Sequence, residues 1–279
     1  MMTAYRELWR RLAGLYDEGE AKAVVRLLLE TAFGMTWTDI ACGDFDRLTA
    51  EQLAELEQMM LRLQAGEPVQ YVLGVAEFCG RLFHVAPGVL IPRPETEELC
   101  RWVIESRGEG RGCRVLDIGT GSGCIACTLA AAWPEARVTA WDISAEALSI
   151  ACTNAKRTGV NVSFEQVDAL HAPLGSQYDI IVSNPPYICE QEKADMESRV
   201  TDHEPALALF VPDDDPLLFY RAIADYARRA LRPGGGLYFE INPLYHHQLE
   251  QLLAERGFTA VQSRSDQFGK IRFTKAIQP

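Results

Sequence analysis

No apolar stretch in this 279-residue chain approaches the ~20 residues a membrane-spanning helix needs; the runs are as short as Ile180-Ile181-Val182. The opening MMTAYRELWRRLAGLYDEGEAK is charged too early and too evenly for a secretory signal, so a cytoplasmic chain with no membrane contact is expected. Basic residues are in short supply: 27 Lys+Arg against 39 Asp+Glu leave a formal charge of −12. A protein whose affinity came from neutralising phosphates would carry the opposite sign. The balance argues against direct nucleic-acid binding and fits a small-molecule site with a basic protein partner. Paired cysteines are lacking too. Of eight Cys, only Cys124-x-x-Cys127 forms a close pair, with no second pair and no His at ligand spacing, so no metal site is expected and buried packing is the reading. There is no G-x-x-x-x-G-K-[ST] segment, which excludes a P-loop, and there are no repeats.

What is present is enough apolar residue, 48%, to bury a core, in a length suited to two domains. The first part reads as helical. Leu8, Leu12 and Leu15, then Val24, Val25, Leu27, Leu28 and Leu29, then Leu53, Leu56, Met59, Met60 and Leu63 recur at helical spacing, and Thr49-x-x-Gln52 has the form of a capping box. We expect a small helical bundle over 1–75, a β-hairpin connector over 76–91 and a larger domain over 92–279. In the last, short apolar runs alternate with helical stretches. Strands are predicted at 114–118, 137–141, 160–164, 178–183 and 236–241, with helices near 123–132, 144–157, 215–231 and 244–255 and a terminal hairpin over 258–275. That alternation predicts an α/β fold, Rossmann-like, with an open and mostly parallel sheet.

VLDIGTGSGCIA places Gly119, Gly121 and Gly123 between a buried strand and a helix, with Thr120 and Ser122 between them. Ligands of open α/β sheets sit beyond the C-terminal strand ends, and glycine lets the backbone turn tightly and come close. The dinucleotide pattern G-x-G-x-x-G needs a glycine where Cys124 stands. G-x-G-x-G after Asp117 suits a ligand without a pyrophosphate. Asp142 ends the second strand 23 residues after Gly119, near the ~20 expected for a carboxylate on ribose hydroxyls. Asp168 follows the third strand, where a turn would flank an adenine ring. Together these outline a pocket for S-adenosylmethionine.

The fourth strand ends in Asn184-Pro185-Pro186-Tyr187. A planar NH₂ group has two N–H donors and a lone pair conjugated away. For that nitrogen to attack a sulfonium methyl, the site should accept both N–H groups and hold the nitrogen in line. The Asn184 side-chain oxygen and the Pro185 carbonyl can do so, with the backbone stiffened by proline. Tyr187 offers a flat face for the planar group. Holding nitrogen and methyl at contact distance can contribute ~7–11 kcal/mol to the rate.

With these motifs in place the chain resembles the HemK/PrmC family of protein-(glutamine) methyltransferases over nearly its whole length. GEPVQYVLG, LIPRPETE, VLDIGTGSGCIA, SNPPYI, HEPALAL and LRPGGGLYFEI carry the likeness. The resemblance implies a class I S-adenosylmethionine-dependent methyltransferase fold and methyl transfer to the side-chain amide nitrogen of the Gly-Gly-Gln glutamine in class I peptide-chain release factors, leaving S-adenosyl-L-homocysteine. It implies that the helical domain recognises the release factor; the chain is expected to be a monomer. It further implies that Gly119 to Gly123, Asp142 and Asn184 line the cofactor and that Asn184, Pro185, Pro186 and Tyr187 hold the glutamine. Two departures stand out: Ala169 occupies a position that is often Trp beside the adenine, and Val211–Asp215 lacks the glycine expected in its turn. Arg93 has two readings, facing the cofactor carboxylate or pairing with a neighbouring acid. The alternatives are a glutamine methyltransferase acting on a ribosomal protein, amino-group methylation of a nucleobase, and a non-catalytic cofactor-binding scaffold.

Overall fold

A computed structural model of the chain describes residues 3–173, 175 and 177–279. They form two compact units. One comprises the chain up to Val75 together with Glu197–His203; the other comprises Ala76–Met196 and Glu204–Pro279.

The first unit holds helices α1 (Thr3–Arg10), α2 (Glu18–Phe33), α3 (Trp37–Cys42), α4 (Ala50–Gln64) and α5 (Val69–Leu73). The Thr49 capping box forms: Thr49 Oγ1 accepts from the Gln52 N–H at 3.2 Å and Gln52 Oε1 from the Thr49 N–H at 2.9 Å. Leu12, Val25, Leu28, Leu29, Met60 and Leu63 are buried in one core. Leu15, Leu27 and Leu53, which share the same spacing, are exposed. α1 ends before Leu15, and a helix with apolar residues at five of six consecutive positions (Val24–Leu29) can bury only one stripe of them. A return segment completes the unit. Arg199, in the single turn Ser198–Thr201, lies over the Tyr16 ring at 4.1 Å and donates to Glu20 at 2.9 Å. No feature of the sequence pointed to this return.

In the second unit, β1 (Val75–Phe78) and β2 (Arg81–His84) make a hairpin, followed by α6 (Pro94–Arg107). Then come β3 (Arg114–Ile118), α7 (Cys124–Ala132), β4 (Arg137–Asp142), α8 (Ala145–Thr158), β5 (Val162–Gln166) and β6 (Tyr178–Ser183). The chain continues through α9 (Leu218–Ala230), β7 (Leu231–Glu240), α10 (His246–Glu255), β8 (Thr259–Ser265) and β9 (Ile271–Ile277). The seven-stranded sheet has the order β8-β9-β7-β6-β3-β4-β5. β5, β4, β3, β6 and β7 run parallel, and β9 and β8 join antiparallel.

Alternate residues of the sheet feed opposite cores. Val115, Val138, Ala140, Ile180 and Val182 pack with α6 and α7, while Leu116, Trp141, Ile181, Leu237 and Phe239 pack with α9 and α10. The period of two is the pleat of a strand buried on both faces. β5 begins two residues later than predicted. The helix α8 closes at Gly159 in the left-handed conformation, and the Val160 N–H is spent on the Ala155 carbonyl at 3.0 Å. The hairpin is fastened to α8 and the glycine turn by Asn154, fully buried on α8. Its Oδ1 accepts from the His84 N–H at 2.6 Å, and its Nδ2 donates to the carbonyls of His84 and Ser122 at 2.9 and 2.8 Å.

Candidate active site

Strand order places the site. β3 is followed on one side by β4 and β5 and on the other by β6, so the chain changes direction across the sheet at β3. A crevice opens at such a switch point because the following connections diverge to opposite faces. Here it is a cleft of about 360 Å³ whose walls are the strand-end residues of β3, β4, β5 and β6, with the Gly88–Thr96 approach to α6 and residues of α9.

After β3 the backbone turns through Gly119 (φ 73°), Gly121 (φ 53°) and Gly123 (φ 79°). Gly121 lines the cleft and no protein atom stands within 4 Å of where its Cβ would lie. Gly123 serves packing instead: a Cβ there would come 3.0 Å from the Ala151 Cβ on α8. The turn is braced from inside by Asp117. Its Oδ2 accepts from Thr120 Oγ1 at 2.6 Å and from the Ala126 N–H at 3.2 Å, while Oδ1 has no hydrogen-bond partner. Complete burial pushes this carboxyl up to about 7, against the lowering pull of those hydrogen bonds.

Asp142 lines the cleft at the end of β4. Its Oδ2 accepts from the Gly121 N–H at 2.8 Å and its Oδ1 from the Ser144 N–H at 2.9 Å, and each oxygen keeps a further lone pair. Asp168 and Ala169 also line it. Asp168 accepts from the Leu170 N–H at 2.9 Å and pairs with His171 at 2.8 Å, a hydrogen bond that lowers its pKa. At Ala169 no ring is available; Ile143, Val167 and Leu170 supply the apolar wall nearby.

β6 ends at Ser183, whose Oγ donates to the Ile118 carbonyl at 2.6 Å and ties the ends of β6 and β3 together. Asn184, Pro185 and Pro186 follow on the cleft wall. Asn184 Nδ2 donates to Thr96 Oγ1 at 3.3 Å, and Thr96 Oγ1 donates to Glu240 Oε2 at 2.6 Å. Glu240 Oε1 accepts from the Tyr187 hydroxyl at 3.2 Å. Burial raises the pKa of both Glu240 and Tyr187.

Three expected site residues do not line the cleft. Asp117 and Gly123 shape the glycine turn from within. Tyr187 is drawn to β7, its hydroxyl on Glu240 and its carbonyl accepting from Asn242 Nδ2 at 3.1 Å. Other residues were missed by sequence reasoning: Thr96 and Glu240, and Glu204, which accepts from the Ile91 N–H at 3.0 Å and from Arg93 at 2.5 Å. Arg93, itself on the cleft wall, thus pairs with a neighbouring acid. The available signal for Glu240 was a lone acid inside the apolar strand GLYFEI, since an unpaired carboxylate is rarely buried. The Val211–Asp215 segment is held without a glycine: Asp213 accepts from the Gln191 N–H at 2.9 Å and Asp215 takes both Arg221 guanidinium nitrogens at 2.8 Å. Cys124 and Cys127 are buried on α7, and burial raises their pKa.

Comparison with known proteins adds to this geometry. The PrmC N-terminal domain family matches residues 3–74 and the Methyltransferase small domain family residues 102–203. The chain is 48% identical over 277 residues to a release factor glutamine methyltransferase of Bacteroides thetaiotaomicron, covering 99% of this chain and 98% of that one. It is 40% identical over 268 residues to a protein of the same name from Flavobacterium psychrophilum, covering 95% and 94%. Among solved structures, the T. thermophilus 16S rRNA N2 G1207 methyltransferase (RsmC), in complex with AdoMet and guanosine, shares the fold with a TM-score of 0.55 at 24% identity, over 74% of this chain and 50% of that one.

Proposed function

The chain belongs to the release factor glutamine methyltransferase family, and from that premise we propose that it methylates the side-chain amide nitrogen of the Gly-Gly-Gln glutamine in class I peptide-chain release factors, with S-adenosylmethionine as donor. The cleft fits that donor: it is of small-ligand size, it has an open approach over Gly121, and it carries Asp142 on its wall. Asp142 would take the ribose hydroxyls, the Gly119–Ser122 backbone the amino-acid portion, and the apolar residues around Ala169 the adenine. Asp142, on the cleft wall beside the turn, supplies negative charge suited to a cationic ligand.

When bound, the cofactor supplies a methyl carbon made electrophilic by its positive sulfur. The protein's task is to present an amide nitrogen whose lone pair is delocalised. The observation that carries this reading is the orientation of Asn184. One hydrogen of its NH₂ goes to Thr96, an orientation that leaves Oδ1 to accept an N–H of the glutamine carboxamide. The Pro185 carbonyl takes the second N–H, so the nitrogen is held in one orientation. A C–N bond forms, a C–S bond breaks, and the nitrogen loses one proton to water, a loss that requires no dedicated base. On this reading the helical unit recognises the release factor, and the enzyme works as a cytoplasmic monomer.

The test is mass spectrometry of a digest of purified release factor after incubation with methyl-labelled cofactor. One label on the glutamine amide is the expected result. Label on a ribosomal protein or a nucleobase instead would redirect the assignment.

A further inference from the structure

Among the described residues, Glu240 is a buried carboxylate tied at once to Tyr187 of NPPY and to Thr96 of α6, the partner of Asn184. Its side chain comes from β7, is 2% exposed, and uses both oxygens: Oε2 for the Thr96 hydroxyl at 2.6 Å, Oε1 for the Tyr187 hydroxyl at 3.2 Å. Thr96, 3% exposed, stands between it and Asn184.

A threonine hydroxyl has one hydrogen. Donated to a carboxylate, which has none to give back, it leaves Thr96 only lone pairs to offer Asn184. The amide must then turn its NH₂ toward Thr96 and its oxygen toward the cleft. If the hydroxyl were free to rotate, it could donate to Asn184 Oδ1, and the flipped amide would set an NH₂ against the incoming NH₂ of the substrate. Two donors would face each other and the nitrogen would lose its anchor.

We infer that Glu240 is a positioning residue that, through Thr96, fixes which end of the Asn184 amide meets the substrate and, through its other oxygen, anchors Tyr187. The inference rests on the glutamine-methylation reading and deepens it. Glu240 touches no reacting atom. It sets polarity three hydrogen bonds away from the reacting nitrogen, and among the described residues Asn184 has no other side-chain hydrogen bond.

Two conservative changes test it in the full-length protein. Thr96→Val removes the relay but keeps the shape, whereas Thr96→Ser keeps the hydroxyl. With release factor as substrate, Thr96→Val should lower kcat roughly 10–100-fold while KM and cofactor Kd stay within about threefold, and Thr96→Ser should restore kcat to within about threefold of the parent. Thermal melting confirms that each variant is folded. Independently of activity, the Asn184 side-chain NH₂ protons, assigned by their loss in Asn184→Asp, should exchange slowly with water in the parent and fast in Thr96→Val. The inference is overturned if Thr96→Val turns over normally, if Thr96→Ser is as impaired as Thr96→Val, or if the Asn184 exchange rate is the same in both proteins. A parent enzyme that never labels glutamine, yet shows the protected NH₂, would instead sink the functional reading and leave the relay standing.

Discussion

The Gly121 N–H donates to Asp142 Oδ2 at 2.8 Å, so the middle glycine of the turn and the carboxylate at the end of β4 hold each other in place. The glycine turn and the acid proposed for the ribose are therefore one mechanical unit. Removing the acid should damage both.

Asp142→Ala should raise the cofactor Kd about 10–100-fold, the equivalent of about 1.5–3 kcal/mol for charge-assisted hydrogen bonds, while the protein stays folded. Isothermal titration calorimetry measures it directly. An unchanged affinity would remove Asp142 from the ribose.

Asn184→Ala deletes the acceptor proposed for the reacting amide. The expected result is a kcat lowered about 100–1,000-fold with cofactor affinity largely kept, because the lost interaction serves the transition state more than the bound cofactor. Single-turnover kinetics with release factor in excess separates chemistry from binding. Near-normal turnover would count against the assigned role.

Gly121→Ala and Gly123→Ala should separate ligand approach from packing. At Gly123 the new Cβ meets Ala151 at 3.0 Å with φ at 79°, so α7 and α8 must shift, at a cost of about 2–3 kcal/mol visible in chemical denaturation. At Gly121 the Cβ meets nothing within 4 Å, and the cost is the left-handed backbone alone, about 1 kcal/mol. That variant should fold but bind cofactor poorly, because the methyl enters the cleft. Equal stability loss at the two positions would refute the distinction.

Asp117 gives stability a pH dependence. Burial raises its pKa from 3.8 to about 7, so between those values the native protein holds a proton that the unfolded chain has released. Its contribution is complete below pH ~4 and is lost as pH rises toward 7, by up to about 4 kcal/mol. Asp117→Asn abolishes that titration. Denaturation curves from pH 4.5 to 7.5 should show the variant gaining on the parent as pH rises; parallel curves would contradict the raised pKa.

Glu204→Ala leaves the Ile91 N–H and the Arg93 guanidinium without their acceptor. Since Glu204 is 5% exposed, the loss should be about 3 kcal/mol, and Glu204→Gln, which keeps an acceptor, should lose less. Both are read as shifts of the denaturation midpoint.

Much of the second unit was legible because its signals are local. Strand pleating writes a period of two into Val115–Ile118 and Ile180–Ser183. A turn with three positive φ values demands glycine at 119, 121 and 123, and prolines after a strand mark Asn184 as fixed. The helical segments were also legible, but which apolar residues face inward was less so. Leu15, Leu27 and Leu53 obey the spacing yet lie outside, because burial depends on what packs against a helix.

The sequence by itself determined the helical and α/β segments, the glycine turn, and the placing of Asp142 and Asn184 at strand ends, since these depend on backbone angles and on side-chain alternation within a few residues. Only the tertiary structure decided that Asn184 would lean on Thr96, 88 residues away, and Thr96 on Glu240, a further 144 residues on, and that Tyr187 would turn to Glu240. Those partners are set by strand order, which brings β7 beside β6 and α6 over both. A hydrogen bond of about 3 Å between distant residues leaves no periodicity in the chain that carries it.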